Sequence, residues 1–199
     1  MPLFDDLFND SPRDEPNDTP TEFNDTPPDP LDPMQDPPPT LTAFSGKPPV
    51  KGGHKVLHLH FDGGSRGNPG PAGIGVTITT APPAAKHVYE LGEFLGSHTN
   101  NVAEYTALVR GLEAAKVLGA KKLHVKADSE LIVRQVNGIY RCKSPDLKPL
   151  YEKALTLMRQ IGDVEVKHVY REDNSRADAL ANAAMDRTCK LEPLGPLPK

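Results

Sequence analysis

The sequence predicts one α/β domain, a mixed sheet flanked by helices, behind a disordered acidic tail. Three observations carry that reading. Near residue 54 the composition changes from Pro- and Asp-rich to a patterned apolar sequence. Three strand-like runs then follow one another across Gly- and Pro-rich turns, the pattern of an antiparallel meander. After them helical and strand patterns interleave in the order βββαβααβα, which implies a sheet with helices packed against it.

The first run, Lys55-Val56-Leu57-His58-Leu59-His60-Phe61-Asp62, alternates in polarity and reads as a half-buried strand over 55–62. Runs at 73–80 and 86–95 complete the meander. A helix over about 101–118 is closed by Gly119, the residue type that ends helices in the left-handed conformation. Lys122 to Asp128 forms the next strand and leads into a short helix at 129–137. A helix at 146–161, a strand at 163–170 and a last helix at 175–187 follow. The predicted domain spans 54–188, between tails at 1–53 and 189–199.

Residues 1–50 hold 13 of the 22 prolines and cannot bury enough apolar surface to offset their ordering entropy. Within them Leu3-Phe4-Asp5-Asp6-Leu7-Phe8 has apolar pairs four apart and suggests a short docking peptide for a protein partner. The same 50 residues carry eleven Asp/Glu against two Lys/Arg, a net of −9, so the remainder carries +5. A weakly basic body is compatible with a nucleic-acid partner and does not prove one. Cys142 and Cys189 match no metal-ligand or disulfide framework, as expected in a reducing compartment. With no apolar run of membrane-spanning length and no signal-like N-terminus, the expectation is a cytoplasmic protein away from membranes.

Four acidic residues stand out for where this pattern puts them. Asp62 ends the first strand, before the Gly-rich run Gly63 to Gly73, in which backbone can approach a ligand closely. Those 11 residues exceed what a bare hairpin needs, which favours a role beyond turning the chain. Each acid also has an ordinary alternative. Asp62 could be a turn residue and Asp128 an N-cap; Glu104 and Asp178 follow Asn101 and Ser175 at capping-box spacing. Two features favour a shared site instead. Glu104 lies on the stripe of Leu108, Gly111, Leu112 and Ala115, which should face the sheet, where a carboxylate has to be paired or metal-bound. Asp62 and Asp128 end strands at the edge where α/β sheets place ligands. On neighbouring parallel strands they would stand roughly 5 to 10 Å apart and raise each other's pKa unless a cation intervened. Oxygen ligands without sulfur favour Mg²⁺ or Mn²⁺, and four carboxylates with two such ions suit in-line attack on a phosphodiester.

The run Asp62-Gly-Gly-Ser-Arg-Gly-Asn-Pro-Gly-Pro-Ala-Gly-Ile-Gly75 closely resembles the first-strand signature of type 1 ribonuclease H. Thr99-Asn100-Asn101-Val102-Ala103-Glu104, Ala127-Asp128-Ser129 and Asn174-Ser175-Arg176-Ala177-Asp178-Ala179-Leu180-Ala181 resemble its later motifs, in the correct order over about 54–187. The resemblance implies a ribonuclease H-like five-stranded sheet, three strands antiparallel and then two parallel. It implies hydrolysis of the RNA strand of an RNA/DNA hybrid with two Mg²⁺ ions, or Mn²⁺ as a substitute, leaving a 5′-phosphate and a 3′-hydroxyl. Asp62 would bridge the ions and Asp178 would help hold the one that activates water. Glu104 and Asp128 would hold the other, beside the leaving 3′-oxygen. Gly63, Gly64, Ser65, Asn100 and Asn101 would read the minor groove and its 2′-hydroxyls, and Asn68 and Thr99 would grip a DNA phosphate.

Three departures from the family pattern bear on that transfer. The segment between the last strand and Asn174 is short, which leaves His168 inside the strand and makes Arg171 the better accessory candidate near the leaving product. Around 138–150, where some relatives carry a basic helical protrusion, this chain has only Arg141, Lys143 and Lys148. Glu130 stands where many relatives have a Gln. The competing readings are a non-catalytic hybrid- or double-stranded-RNA-binding module, and a nuclease of the same fold acting on double-stranded RNA or RNA–DNA junctions.

Overall fold

A computed structural model describes residues 56–187. Strands β1 (Val56–Ser65), β2 (Gly70–Thr80) and β3 (His87–His98) lead into helix α1 (Asn100–Val117). They are followed by β4 (Lys122–Ala127), α2 (Glu130–Val136), α3 (Lys148–Ile161) and β5 (Asp163–His168). A 3₁₀ turn, Arg171–Asn174, then runs directly into α4 (Ser175–Met185). All five strands form one sheet in the order β3-β2-β1-β4-β5. The meander is antiparallel, and β1, β4 and β5 run parallel. Parallel neighbours need a crossover connection; α1 lies between β2–β3 and β4 in the chain, and α2 with α3 carries the second crossover.

Alternation along β1 sets the layers. Leu57, Leu59 and Phe61 are fully buried, while His58 and His60 on the opposite face are only half-buried. Leu59 pairs with Ile78 and Phe61 with Val76, and the row continues through Tyr89 and Leu91 of β3. Onto this face α1 lays the predicted stripe of Leu108, Gly111, Leu112 and Ala115, all buried. The other face of β2 carries α4 through buried alanines 177, 181 and 184.

Two glycines fix how closely the helices approach. A Cβ on Gly63 would lie 2.4 Å from the Ala103 carbonyl carbon and the Glu104 nitrogen. One on Gly75 would lie 2.0 Å from the Ala177 carbonyl oxygen. The β1–β2 hairpin is thus clasped by the first turns of α1 on one side and by α4 on the other, both against backbone. That double clasp brings the acids of two helices to the C-terminal end of β1.

Several boundaries differ from the sequence reading, one of them with consequences. β1 runs on through Gly63, Gly64 and Ser65, which pair with Ile74, Gly73 and Ala72. The connection between β1 and β2 is therefore only Arg66 to Pro69, the length of an ordinary hairpin loop and not the overlong one expected from the sequence. In the ladder, the α1 backbone fills the space that Gly63 leaves, and the Met185 side chain lies over Gly64. β5 stops at His168, two residues early, since the chain turns into the 3₁₀ segment. The tails at 1–53 and 189–199, with the Leu3–Phe8 segment and Cys189, lie outside the described residues. Among the described residues no helix is long and apolar enough to cross a membrane.

Candidate active site

Asp62 projects from β1, Glu104 from α1, Asp128 from the residue after β4 and Asp178 from the first turn of α4. All four line one cleft of about 250 Å³, with Gly63, Gly64, Ser65, Arg66, Asn100, Arg171, Asn182 and Met185. None of them is the N-cap of its helix. Thr99 caps α1, its side chain accepting from the Val102 N–H, while Ser129 and Asn174 precede α2 and α4. Asp62 is no turn residue either, for it pairs with Gly75 inside the β1–β2 ladder. The ordinary structural roles open to these acids in the sequence are all filled by other residues.

Three of the carboxylates are held by neutral donors. Ser129 Oγ donates to Glu104 Oε2 at 2.8 Å, and Asn174 Nδ2 donates to Asp128 Oδ1 at 2.8 Å. Asn182 Nδ2 donates to Asp178 Oδ2 at 3.0 Å, and the Arg171 guanidinium pairs with Asp178 from the cleft edge. That pairing holds the Arg171 pKa above its ordinary value. Asp62 feels the charge of all three other acids. Burial first, and then the charges of Asp128, Asp178 and Glu104, push its carboxyl up to about 7. Burial likewise raises Glu104 to about 7, helped by Asp128 and opposed by hydrogen bonds from Ser129 and Asn100.

Such an all-oxygen set fits a hard divalent cation. Among the described residues no three His, Cys, Asp or Glu side chains converge as a ready-made cage for one ion. Mg²⁺ does not require that, because it keeps much of its water and binds through one or two carboxylates together with substrate phosphates. Asp62 with Asp128 or Asp178 supplies such pairs, and the burial and neighbouring charges that raise its pKa are both penalties on its carboxylate that a cation would relieve.

The other predicted residues divide. Gly63, Gly64, Ser65 and Asn100 line the cleft, and so does Arg171. Asn68, Thr99 and Asn101 stand outside it. The Asn68 side-chain oxygen accepts from the Asn100 N–H at 3.1 Å, so it fixes the start of α1, and Thr99 is occupied as its cap. His168 ends β5 on the surface, with Nε2 3.2 Å from the Asp128 carbonyl oxygen. Sequence reasoning passed over Arg66, Asn182 and Met185 in the cleft, and Ser129 and Asn174 behind it. Asn182 was discoverable, since it lies one helical turn after Asp178 and residues four apart meet on a helix surface. Arg66, the one cation of the Gly-rich run, bonds Asn182 and Asp186. Asn174 reaches its partners across 113 and 46 residues of chain, and no local pattern announces that.

A five-stranded sheet in this order, with one acid from each of four elements around a single cleft, defines a ribonuclease H-like domain. A family model described as "Reverse transcriptase-like" matches residues 60–184, and the chain belongs to that family, among relatives named as ribonucleases H. Ribonuclease HI of Halobacterium salinarum is 41% identical over 138 residues, covering 69% of this chain and 67% of that protein. The bifunctional protein Rv2228c of Mycobacterium tuberculosis is 46% identical over 128 residues, of which this chain spans 35% of the length. Among solved structures, ribonuclease H1 of the same halophilic archaeon superposes with a TM-score of 0.63 at 41% identity, covering 66% of this chain and 98% of that one. LC11-RNase H1, solved in complex with an RNA/DNA hybrid, gives a TM-score of 0.61 at 42% identity, covering 66% and 97%.

Proposed function

We propose that this domain is a metal-dependent endoribonuclease that hydrolyses the RNA strand of RNA/DNA hybrids and leaves 5′-phosphate and 3′-hydroxyl ends. The observation that carries the reading is the gathering of four carboxylates from four separate elements around one cleft, with none of them an N-cap and two pushed up to about 7. A fold does not need such a repelling set, whereas a pair of cations does. Asp62 would be shared between two Mg²⁺ ions, with Asp178 on one side and Glu104 and Asp128 on the other. When bound, the ions supply an activated water and neutralise charge on the phosphate and leaving oxygen.

The protein's own groups do the rest. Ser129, Asn174 and Asn182 hold three of the acids in place before substrate arrives. Gly63, Gly64, Ser65, Asn100 and Asn101 would meet the minor groove, where 2′-hydroxyls distinguish RNA from DNA. Asn68 and Thr99 would meet a phosphate of the DNA strand, and the start of α1 that they organise would hold them in register. Arg171 would meet phosphate at the cleft edge, and His168 is the lesser accessory candidate. The catalytic unit is taken as 54–188 and its setting as the cytoplasm, on the cysteine spacing. Leu3 to Phe8 is taken as a docking segment for a protein partner.

The test is cleavage of an end-labelled RNA/DNA hybrid with Mg²⁺ or Mn²⁺, comparing wild type with Asp62→Asn and with a double-stranded RNA control. Metal-dependent cutting of the hybrid, abolished in the variant and in EDTA, is the expected result. Hybrid binding without turnover in either metal would make this a recognition module, and preferential cutting of double-stranded RNA would reassign the substrate.

A further inference from the structure

The side chain of Asn174 is the most fully buried polar group behind the cleft, only 1% of the residue being exposed. It sits at the N-cap of α4, where Asn is a preferred residue because its side chain usually accepts from the first free N–H groups of the helix. Here it does not: the α4 cap carries no side-chain hydrogen bond. The amide is used elsewhere. Nδ2 donates at 2.8 Å to the carbonyl oxygen of Phe61, next to Asp62, and at 2.8 Å to Oδ1 of Asp128. Both partners are acceptors, so the nitrogen has to face them and the amide can adopt only one orientation. Its Oδ1 is left buried without a partner, an arrangement that costs stability because a buried acceptor forgoes its bond to water. A residue retained only for capping would make the cap bond and avoid that cost.

The three points so joined belong to three acid-bearing segments: the interior of β1, the end of β4 and the entry to α4. Ser129 and Asn182 each hold a single carboxylate from a half-buried position. Asn174 alone ties one acid to the backbone beside another.

We propose that Asn174 is a positioning residue for the metal site, setting the spacing between Asp62 and Asp128 and fixing the Asp128 carboxylate for the cation. The inference rests on the metal-dependent reading above and goes beyond it by naming what presets the ligand geometry. Removing a partner behind a metal ligand typically weakens metal affinity about 10- to 100-fold.

The experiment uses the full chain as wild type, Asn174→Ala and Asn174→Ser, stripped of metal and titrated with Mg²⁺ alone while the unfolding temperature is followed. Hybrid cleavage is then measured for kcat and KM across the same Mg²⁺ range. The serine variant keeps a good capping residue and is too short to reach both acceptors, so it carries the test if the alanine variant does not fold. The expected result is an upward shift of the Mg²⁺ midpoint by about 10- to 100-fold. It should come with lower kcat at limiting metal, partial recovery at high metal, and an unchanged KM for the hybrid. A lower unfolding temperature with an unchanged Mg²⁺ midpoint would make Asn174 a packing residue and overturn the proposal. Absence of hybrid cleavage by the wild type would count against the proposed function instead, and the thermal titration would still decide the part of Asn174.

Discussion

Replacing Asp62 by Asn should inactivate the domain and, in the absence of metal, make it more stable. Burial and three neighbouring acids raise the Asp62 carboxyl from 3.8 to about 7. At 1.36 kcal/mol for each pKa unit, a rise of about three units corresponds to a ceiling of about 4 kcal/mol at a pH above both values. Water entering the metal-free cleft and outward movement of the acids reduce it, and about 2 kcal/mol is expected, roughly 6 °C in unfolding temperature for a domain of this size. Asn keeps an acceptor oxygen for the Gly63 N–H and drops the charge. The pH dependence has a definite sign. Between about 4 and about 7 native Asp62 retains a proton that the unfolded chain has lost. Wild-type stability in EDTA should therefore fall as pH rises through that window, with Glu104 adding to the slope. The variant should show a shallower slope and its largest advantage near pH 8. Mg²⁺ should erase that advantage, because a cation that binds only the native wild type stabilises it by mass action. Urea unfolding at pH 5 and pH 8, with EDTA and with Mg²⁺, measures all of this. An Asp62→Asn protein no more stable than wild type in EDTA at pH 8 would refute the reasoning, since neither burial nor the neighbouring acids would then be penalising the Asp62 carboxylate.

Other outcomes can be measured alongside. Gly75→Ala should destabilise the fold by about 3 kcal/mol or more, since its Cβ would meet the α4 backbone at 2.0 Å; urea unfolding reads this, and cleavage should fall as Asp178 shifts. Arg171→Ala should lower kcat on the hybrid with little change in unfolding temperature, whereas His168→Ala, on the surface at the end of β5, should leave kcat near wild type. Arg110→Ala, which loses a two-pronged pair with Glu93 at 3.1 Å on a partly exposed face, should cost only about 0.2–1 kcal/mol in a urea titration. Deleting residues 1–50, with a net charge of −9 against +5 in the remainder, should tighten hybrid binding most at low salt, where screening is weakest. Equal affinities of the two forms at low salt would remove the tail from that role.

The element order was readable because each element carries its own period. β1 alternates from Val56 to Phe61, and α1 shows its stripe from Glu104 to Ala115. Where the period lapses, so did the reading: Gly63 and Gly64 have no side chains to alternate, and they read as loop although they belong to the ladder. Asp128 was legible just past the end of its strand and Glu104 on an apolar helical stripe, whereas Asp62, expected at a strand end, lies inside β1. Their capping alternatives could not be dismissed from sequence, because Ser-x-x-Asp and Asn-x-x-Glu spacings are equally at home at helix starts. Only the backbone shows that Thr99, Ser129 and Asn174 occupy those caps. Asn174 itself was invisible as a tether, since its bonds to Phe61 and Asp128 join segments that meet only in the folded chain.

The four acids lie on elements spread from β1 to α4, and α4 is the last of them to be made. A ribosome that has released β1, α1, β4 and Asp128 has produced three of the acids and most of the sheet, yet no complete cleft. Asn174, which aligns Asp128, arrives only with the same closing segment as Asp178. The cleft is therefore incomplete until synthesis has passed Asp178. The same order means that a nick or a frayed end in α4 would break the cleft without cutting any of the five strands of the sheet.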